Sequence, residues 1–180
     1  CRASIRRGSG IESIVAKAAV ICAGGHQANV DWLCEEFGAA ADGFAVRGTP
    51  YASGSALRLL LNAGAKPVGH PRHCHEVAVD ARGPKFDGGI VTRIAAIPHG
   101  IVVDRDCRRF DDEGTNLCKS HFAQWGARIP TCPSQIAFLI LDAKGLARAA
   151  SSALPPIQAD NVSALATKLQ LDAIALEATV

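Results

Sequence analysis

The 180-residue sequence contains no methionine and one tyrosine, and none of its apolar runs reaches the roughly 18 residues that a membrane-spanning helix needs. Its nineteen basic and seventeen acidic side chains are mixed along the chain, so they form no basic face or tail of the kind that binds nucleic acid. The first residues show no signal-peptide pattern. These absences argue against membrane insertion, nucleic-acid binding and export.

The cysteines and the apolar residues indicate the cellular compartment and the number of domains. The seven cysteines are odd in number and fall mostly inside apolar patterns, which favours reduced thiols over a disulfide framework. Apolar residues make up 48% of the chain, enough for one sizeable core. We therefore expect a cytoplasmic protein with one domain, or one domain and part of its neighbour.

The two ends of the sequence suggest a larger parent. The chain begins at Cys1 without an initiator methionine, and helical patterns continue to Val180 without a polar tail. We therefore expect the middle piece of a longer enzyme.

Periodicity and turn residues predict a mixture of helices and strands. Asn29 is the predicted N-cap of the first helix, Ser53 or Ser55 caps the second, and Gly64 ends it. The predicted helices span residues 30–37, 56–63, 122–127 and 143–150, followed by two short helices joined near Gln170, with Val162, Leu165, Leu169 and Ile174 facing the core. The predicted strands span residues 13–17, 18–23, 76–79, 89–94, 101–104, 107–110 and 135–142, and the first two form either a β pair or one long strand.

The first candidate site is Ala23-Gly24-Gly25, which follows the apolar run 18–22. Two glycines at a strand end let the backbone approach a ligand closely, as in nucleotide-binding α/β sheets. A plain tight turn explains the glycines equally well, because the full GxGxxG fingerprint is absent.

The second candidate is the segment His70-Pro71-Arg72-His73-Cys74-His75. Three imidazoles and a thiol can ligate zinc, but no second ligand pair with suitable spacing accompanies them. Hydrogen-bond donation to an anion beside Arg72 is the better hypothesis, and a solvated polar loop is the alternative. No metal site is predicted.

The third candidate is Gly88-Gly89-Ile90-Val91-Thr92-Arg93. Adjacent residues of a strand point to opposite faces, so Thr92 and Arg93 reach one ligand only if the glycines bend the chain. Arginine binds carboxylates bidentately, which suits a small polyacid, although most single arginines are surface residues.

These segments, in the order "AKAAVICAGGHQAN", "GTPYASGSALRLLLNAGAKPVG", "CHEVAVDARGPKFDGGIVTR", "GIVVDRDCRRFDDEG" and "ADNVSALATKLQLDAIALEATV", resemble the flavoproteins of the fumarate reductase and succinate dehydrogenase family over nearly the whole chain. Within the family they are most similar to the FAD-dependent tricarballylate dehydrogenases. The resemblance implies an α+β substrate-binding cap domain at residues 66–180, a connection at 29–65 and a remnant of the FAD-binding domain at 1–28.

The resemblance also implies roles for single residues. Ala23, Gly24 and Gly25 correspond to the strand end beside the flavin, and Ser53-Gly54 to a second flavin-side turn without its usual acidic residue. His75 and Thr92 match substrate-binding positions.

Two positions depart from the family pattern. Arg93 replaces a glutamate, which would suit a substrate with a third carboxylate. An ungapped count places the family's proton-transferring arginine at Leu117, so that arginine has no counterpart here. The nearest cations are Lys119 and His121, and Lys119 is the candidate for that role.

The resulting interpretation is an FAD-dependent dehydrogenase that converts tricarballylate to cis-aconitate. Its expected partners are the polycarboxylate, the remaining FAD-domain segments of the same protein and an electron-acceptor protein. We do not expect this chain alone to hold FAD tightly or to turn over. The alternatives are a fumarate reductase or succinate dehydrogenase-like enzyme, a 3-ketosteroid dehydrogenase-like enzyme, whose tyrosine acid only Tyr51 can supply, and a non-catalytic metal- or ligand-binding module.

Overall fold

A computed structural model describes residues 1–86, 89–114 and 122–180, without the side chains of Ile90 and Phe122. The described residues form four β-strands and six α-helices, in chain order β1 (Arg2–Arg7), β2 (Gly10–Val15), α1 (Val30–Phe37), α2 (Ser55–Asn62), β3 (Ile101–Val103), α3 (Phe122–Arg128), β4 (Phe138–Ile140), α4 (Ala143–Arg148), α5 (Val162–Leu169) and α6 (Ala173–Thr179). Short 3₁₀ turns span Ala39–Gly43, Ile90–Thr92, Ile97–His99, Ile129–Thr131 and Pro133–Gln135. This mixture of helices and small sheets agrees with the predicted α+β class.

The strands of the described chain pair in two antiparallel ribbons. β1 pairs with β2 through a turn at Gly8, whose φ of 57° suits glycine, and this hairpin is almost entirely exposed. β3 pairs with β4 in the register Val102↔Leu139. Successive side chains of a strand point to opposite faces, so β3 contributes to two apolar clusters.

The two clusters lie on the two faces of β3. Val103 packs with Cys107, Ile140, Ala166 and Leu176, so this cluster is closed by α5 and α6. Val102 packs on the other face with Ala78, Ile97 and Trp125. The second cluster joins α3 to the chain at Ala78, close to the predicted substrate-binding segment.

Side-chain caps begin several of the described helices, and the cap at Asn29 is the one that the sequence predicts correctly. Asn29 accepts from the Trp32 N–H, and Asn161 and Asp172 cap α5 and α6 in the same way. The predicted serine cap of α2 is wrong, because the N-cap is Gly54, whose φ of 76° gives the turn a left-handed entry, and no side chain caps the helix. Gly64, with a φ of 87°, follows the C-terminus of α2 as predicted.

Two predicted strands are wrong. Residues 17–25, which include the predicted strand 18–23, run without strand pairing among the described residues, and Val20 is 87% exposed, because apolar β-branched residues form a strand only where a partner strand is in register. Residues 90–92 form a 3₁₀ turn, since Thr92 Oγ1 bonds back to the Gly89 carbonyl at 3.0 Å.

Three further predictions are corrected in part. The predicted strand at 76–79 reduces to a bridge between Val79 and Arg93. The hairpin between 101–104 and 107–110 is confirmed as a turn with one bridge, Val103↔Arg109, because β3 pairs mainly with β4. Ile174 is 81% exposed, and Leu176 is the buried residue of α6. None of the described helices has the length and apolar character needed to cross a bilayer.

Candidate functional site

Two glycine turns lie at residues 24–25 and 53–54. The chain shortly after the first turn is hydrogen-bonded to residues 52 and 53 at the second. The Ala28 N–H donates to the Ala52 carbonyl at 3.0 Å, and Asn29 Nδ2 donates to the Ser53 carbonyl at 3.1 Å. Gly54 must be glycine here, since a Cβ would lie 2.5 Å from the His26 Cβ and 2.7 Å from the Trp32 ring. The fold therefore brings together the two segments that the sequence predicts to bind a cofactor.

A three-layer stack fixes this junction. The His26 ring stacks on the Trp32 indole with 4.2 Å between ring centroids, and the Arg58 guanidinium lies 3.8 Å from the same indole centroid. Two groups at these distances cannot share one face of the ring, so they cover opposite faces. The stack ties the turn before α1 to α2, and cation–π attraction adds to the packing.

A groove of about 860 Å³ opens beside the first glycine turn. Its lining comes mainly from residues 25–27, 43–48, 74–81 and 134–136. The groove thus contains Gly25 and His75, two residues predicted separately as cofactor- and substrate-binding, and its volume is typical of small-molecule sites. His26 and Arg47 also line the groove, and no local pattern in the sequence points to either residue.

One wall of the groove rests on α3. Gly126 packs so closely on the backbone of Glu76 and Val77 that a methyl group there would overlap their atoms. Trp125, beside it, is 4% exposed and packs on Ala78. The segment that carries His75 into the groove is therefore held by α3, whose Gly126 also lines the groove.

The ionised groups of the groove are mostly paired. Asp80 binds Arg82 at 2.6 Å, and the hydrogen bonds from that guanidinium lower the pKa of the Asp80 carboxyl. Lys85 Nζ donates to the Asp42 carbonyl at 2.8 Å and lies 3.8 Å from its carboxylate. The Cys74 thiol donates to Glu76 at 3.1 Å, and partial burial together with that carboxylate raises the pKa of Cys74 to about 12, so this thiol is a poor nucleophile.

Thr92 and Arg93 lie behind the wall formed by residues 78–80. The Asp80 N–H donates to the Thr92 carbonyl at 2.7 Å, and the Ile94 N–H donates to the Ala78 carbonyl at 3.0 Å. Thr92 is 8% exposed, and its hydroxyl donates to the Gly89 carbonyl. Neither residue is among the described residues that line the groove.

Other predicted sites are placed as follows. Lys119, together with Leu117 and Gly88, lies outside the described residues. The His70 and His73 rings lie 5.0 Å apart on an exposed loop. Within the described ranges, no group of three or more histidine, cysteine or acidic side chains is placed to hold a metal ion.

The model of a family described as FAD binding domain matches residues 1–180. No curated protein matches the chain.

Proposed function

The chain belongs to the FAD binding domain family of fumarate reductase and succinate dehydrogenase-type flavoproteins, and from this premise we propose that it is part of an enzyme that desaturates a polycarboxylate. FAD is the cofactor of the family, whose members are generally FAD-dependent oxidoreductases. The proposed substrate is tricarballylate, converted to cis-aconitate, and a succinate-like acid is the second candidate.

The residues at the junction of the two glycine turns fit a flavin. A Cβ at Gly24 would have no neighbour within 4 Å, so the backbone there is open to a ligand, and the φ of 72° favours glycine. The turns present backbone groups and small side chains, and no carboxylate that would repel a phosphate or an electron-rich ring. We assign Ala23, Gly24, Gly25, Ser53 and Gly54 to FAD binding.

The observation that carries the proposal is the placement of His75 in the groove that begins at this junction. A ligand that reaches from Gly25 toward residue 75 occupies both a cofactor and a substrate position. When bound, FAD supplies the hydride acceptor, and the protein supplies orientation, charge neutralisation and exclusion of water.

The chain's own residues then have distinct tasks. His75 donates a hydrogen bond to one substrate carboxylate. Thr92 and Arg93 are assigned to the same substrate, with Arg93 directed to the third carboxylate of tricarballylate, but both lie behind the groove wall here and reach a ligand only if residues 78–80 move. Lys119, which lies outside the described residues, is assigned to take a proton from one carbon as the neighbouring carbon loses hydride. The substrate-binding cap would comprise residues 66–180, joined through 29–65 to the part of the FAD-binding domain at 1–28.

A sterol substrate is the less favoured alternative. Tyr51, the one tyrosine of the sequence, is 87% exposed and is not among the described groove-lining residues. A tyrosine acid for steroid dehydrogenation is therefore not placed at the groove.

The test is anaerobic reduction of the flavin in the natural full-length protein, with tricarballylate, succinate and a 3-ketosteroid as separate donors. Bleaching of the flavin absorbance by tricarballylate with formation of cis-aconitate is the expected result. His75→Ala should lower kcat/KM about tenfold to a hundredfold, while the matched variant His73→Ala, outside the groove lining, should stay within about threefold of the native protein. Reduction by the steroid alone, or equal effects of the two histidine variants, contradicts the proposal.

A further inference from the structure

We propose that Arg47 binds a carboxylate of the substrate and so helps determine specificity, an inference that rests on the proposed function. Arg47 lines the groove and is half-buried. No motif in the sequence around Arg47 predicts a binding site. The proposed role follows from the contacts of Arg47 in the structure.

The guanidinium of Arg47 is oriented by a carbonyl that it shares with Thr92. Arg47 Nε donates to the Gly89 carbonyl at 3.0 Å, and Thr92 Oγ1 donates to the same oxygen, also at 3.0 Å. Arg47 Nε and Thr92 Oγ1 are therefore separated by no more than twice 3.0 Å. The fold brings a groove-lining cation close to Thr92, a predicted substrate-binding residue that packs behind the groove wall.

Arg47 uses Nε for the bond to the Gly89 carbonyl. The two Nη atoms at the end of the guanidinium then form a fork of hydrogen-bond donors. Such a fork matches the two oxygens of a carboxylate, and it is rigid because the group is planar. The backbone before it is also fixed, since the Val46 N–H donates to the Lys85 carbonyl at 2.6 Å and Val46 is 7% exposed. Little conformational entropy remains to be lost when an anion binds.

Arg47 differs in its ion pairing from Lys85, another cation of the groove lining. Two other charged groups of the groove are paired with opposite charges, Lys85 with Asp42 and Asp80 with Arg82. A third, the Glu76 carboxylate, accepts a hydrogen bond from the Cys74 thiol. Within the described parts of the chain, no acidic side chain forms an ion pair with Arg47. A half-buried guanidinium beside a groove favours an anionic ligand, and a polycarboxylate supplies one.

The experiment compares Arg47→Gln and Arg47→Lys with Lys85→Gln, which removes a groove-lining cation already paired with an acid. The full-length protein with FAD bound is titrated by calorimetry with tricarballylate and with malonate. Malonate carries two carboxylates on one carbon, cannot be desaturated, and therefore reports binding apart from turnover.

For both ligands we expect Kd to rise about tenfold to a hundredfold in Arg47→Gln, and by a smaller factor in Arg47→Lys, which keeps the charge but loses the fork. Lys85→Gln should stay within about threefold. Flavin content and Tm should match the native protein, and Arg47→Lys carries the test if Arg47→Gln does not fold.

Three results overturn the proposal: unchanged Kd values in the Arg47 variants, loss of flavin instead of loss of ligand affinity, and no malonate binding by the native protein. A fourth comes from Asp87→Asn, at a position outside the described residues. A loss there equal to that of Arg47→Gln would mean that Arg47 serves an ion pair with Asp87. Malonate binding that depends on Arg47, without flavin reduction by any polycarboxylate, would refute the proposed function and leave the assignment of Arg47 standing.

Discussion

Asn29 joins Ser53 to the first turn of α1, since its Nδ2 donates to the Ser53 carbonyl while its Oδ1 accepts from the Trp32 N–H. One side chain thus caps a helix and holds the two glycine turns together. Aspartate at this position keeps the acceptor and loses the donor, which allows the two roles to be separated.

We expect Asn29→Ala to lower the free energy of unfolding by about 1–2 kcal/mol, the usual effect of losing an N-cap. Asn29→Asp should cost much less stability, since it retains the cap. Both variants should release FAD more readily from the full-length protein, because both lose the bond to Ser53. Urea denaturation and the flavin-to-protein absorbance ratio measure the two effects, and native flavin retention in both variants would show that the bond does not support the cofactor.

Gly126→Ala should lower the free energy of unfolding by about 1–3 kcal/mol, because its methyl group would overlap the Glu76 and Val77 backbone. The sign is informative, since alanine alone favours an exposed helix interior by roughly 1 kcal/mol over glycine. Gly48→Ala is the control, because a Cβ there meets no atom within 4 Å. Chemical denaturation of both variants decides the matter, and a stabilised Gly126→Ala would contradict this packing.

Glu113 makes the stability of the protein depend on pH. Burial acts to raise the pKa of this carboxyl, but hydrogen bonds from the Arg109 side chain and the Val102 N–H outweigh it, so the pKa is lowered. A lowered pKa in the folded state adds stability above the unfolded value of roughly 4.3, and this stability is lost as the pH falls through the folded pKa.

Glu113→Gln should therefore lower the free energy of unfolding at pH 7 and make it fall less steeply below about pH 4.5. Urea titrations at several pH values measure the slope. Glu177→Gln, which changes an exposed carboxyl on α6, should keep the native slope. Equal slopes for the native protein and Glu113→Gln would refute the assignment.

Leu176→Ala should destabilise the protein by about 2–5 kcal/mol, since the side chain is fully buried against Val103 and Cys107 and its loss leaves a cavity. Ile174→Ala on the same helix removes a side chain that is 81% exposed and should change the free energy of unfolding by less than about 0.5 kcal/mol. Calorimetric Tm values of the two variants test this, and similar losses would contradict the orientation of α6.

Features that depend on neighbouring residues could be predicted from the sequence, and those that depend on distant ones could not. α1 and its cap at Asn29 follow from residues within one helical turn. The contact between Arg47 and Gly89 spans 42 positions, and no local pattern encodes it. Residues 18–23 have strand composition, yet pairing depends on a partner strand that composition does not supply.

The candidate site divides in the same way. The glycine turns and His75 stand out by residue type, whereas the stack of His26, Trp32 and Arg58 is created by tertiary packing. A strand is predicted at 89–94, but the Thr92 hydroxyl donates to the Gly89 carbonyl and stabilises a 3₁₀ turn there instead.

The unpaired segment 17–25 has a consequence for handling the chain. Val20 and Ile21 are 87% and 44% exposed, and within the described structure their backbone has no strand beside it. An apolar edge of this kind is a template for pairing with another molecule, and its pairing partner in a concentrated solution is another copy of itself. The isolated chain should therefore aggregate as its concentration rises, under conditions in which the fold itself is still stable. Val20→Lys should reduce this aggregation, and it changes no residue of either apolar cluster.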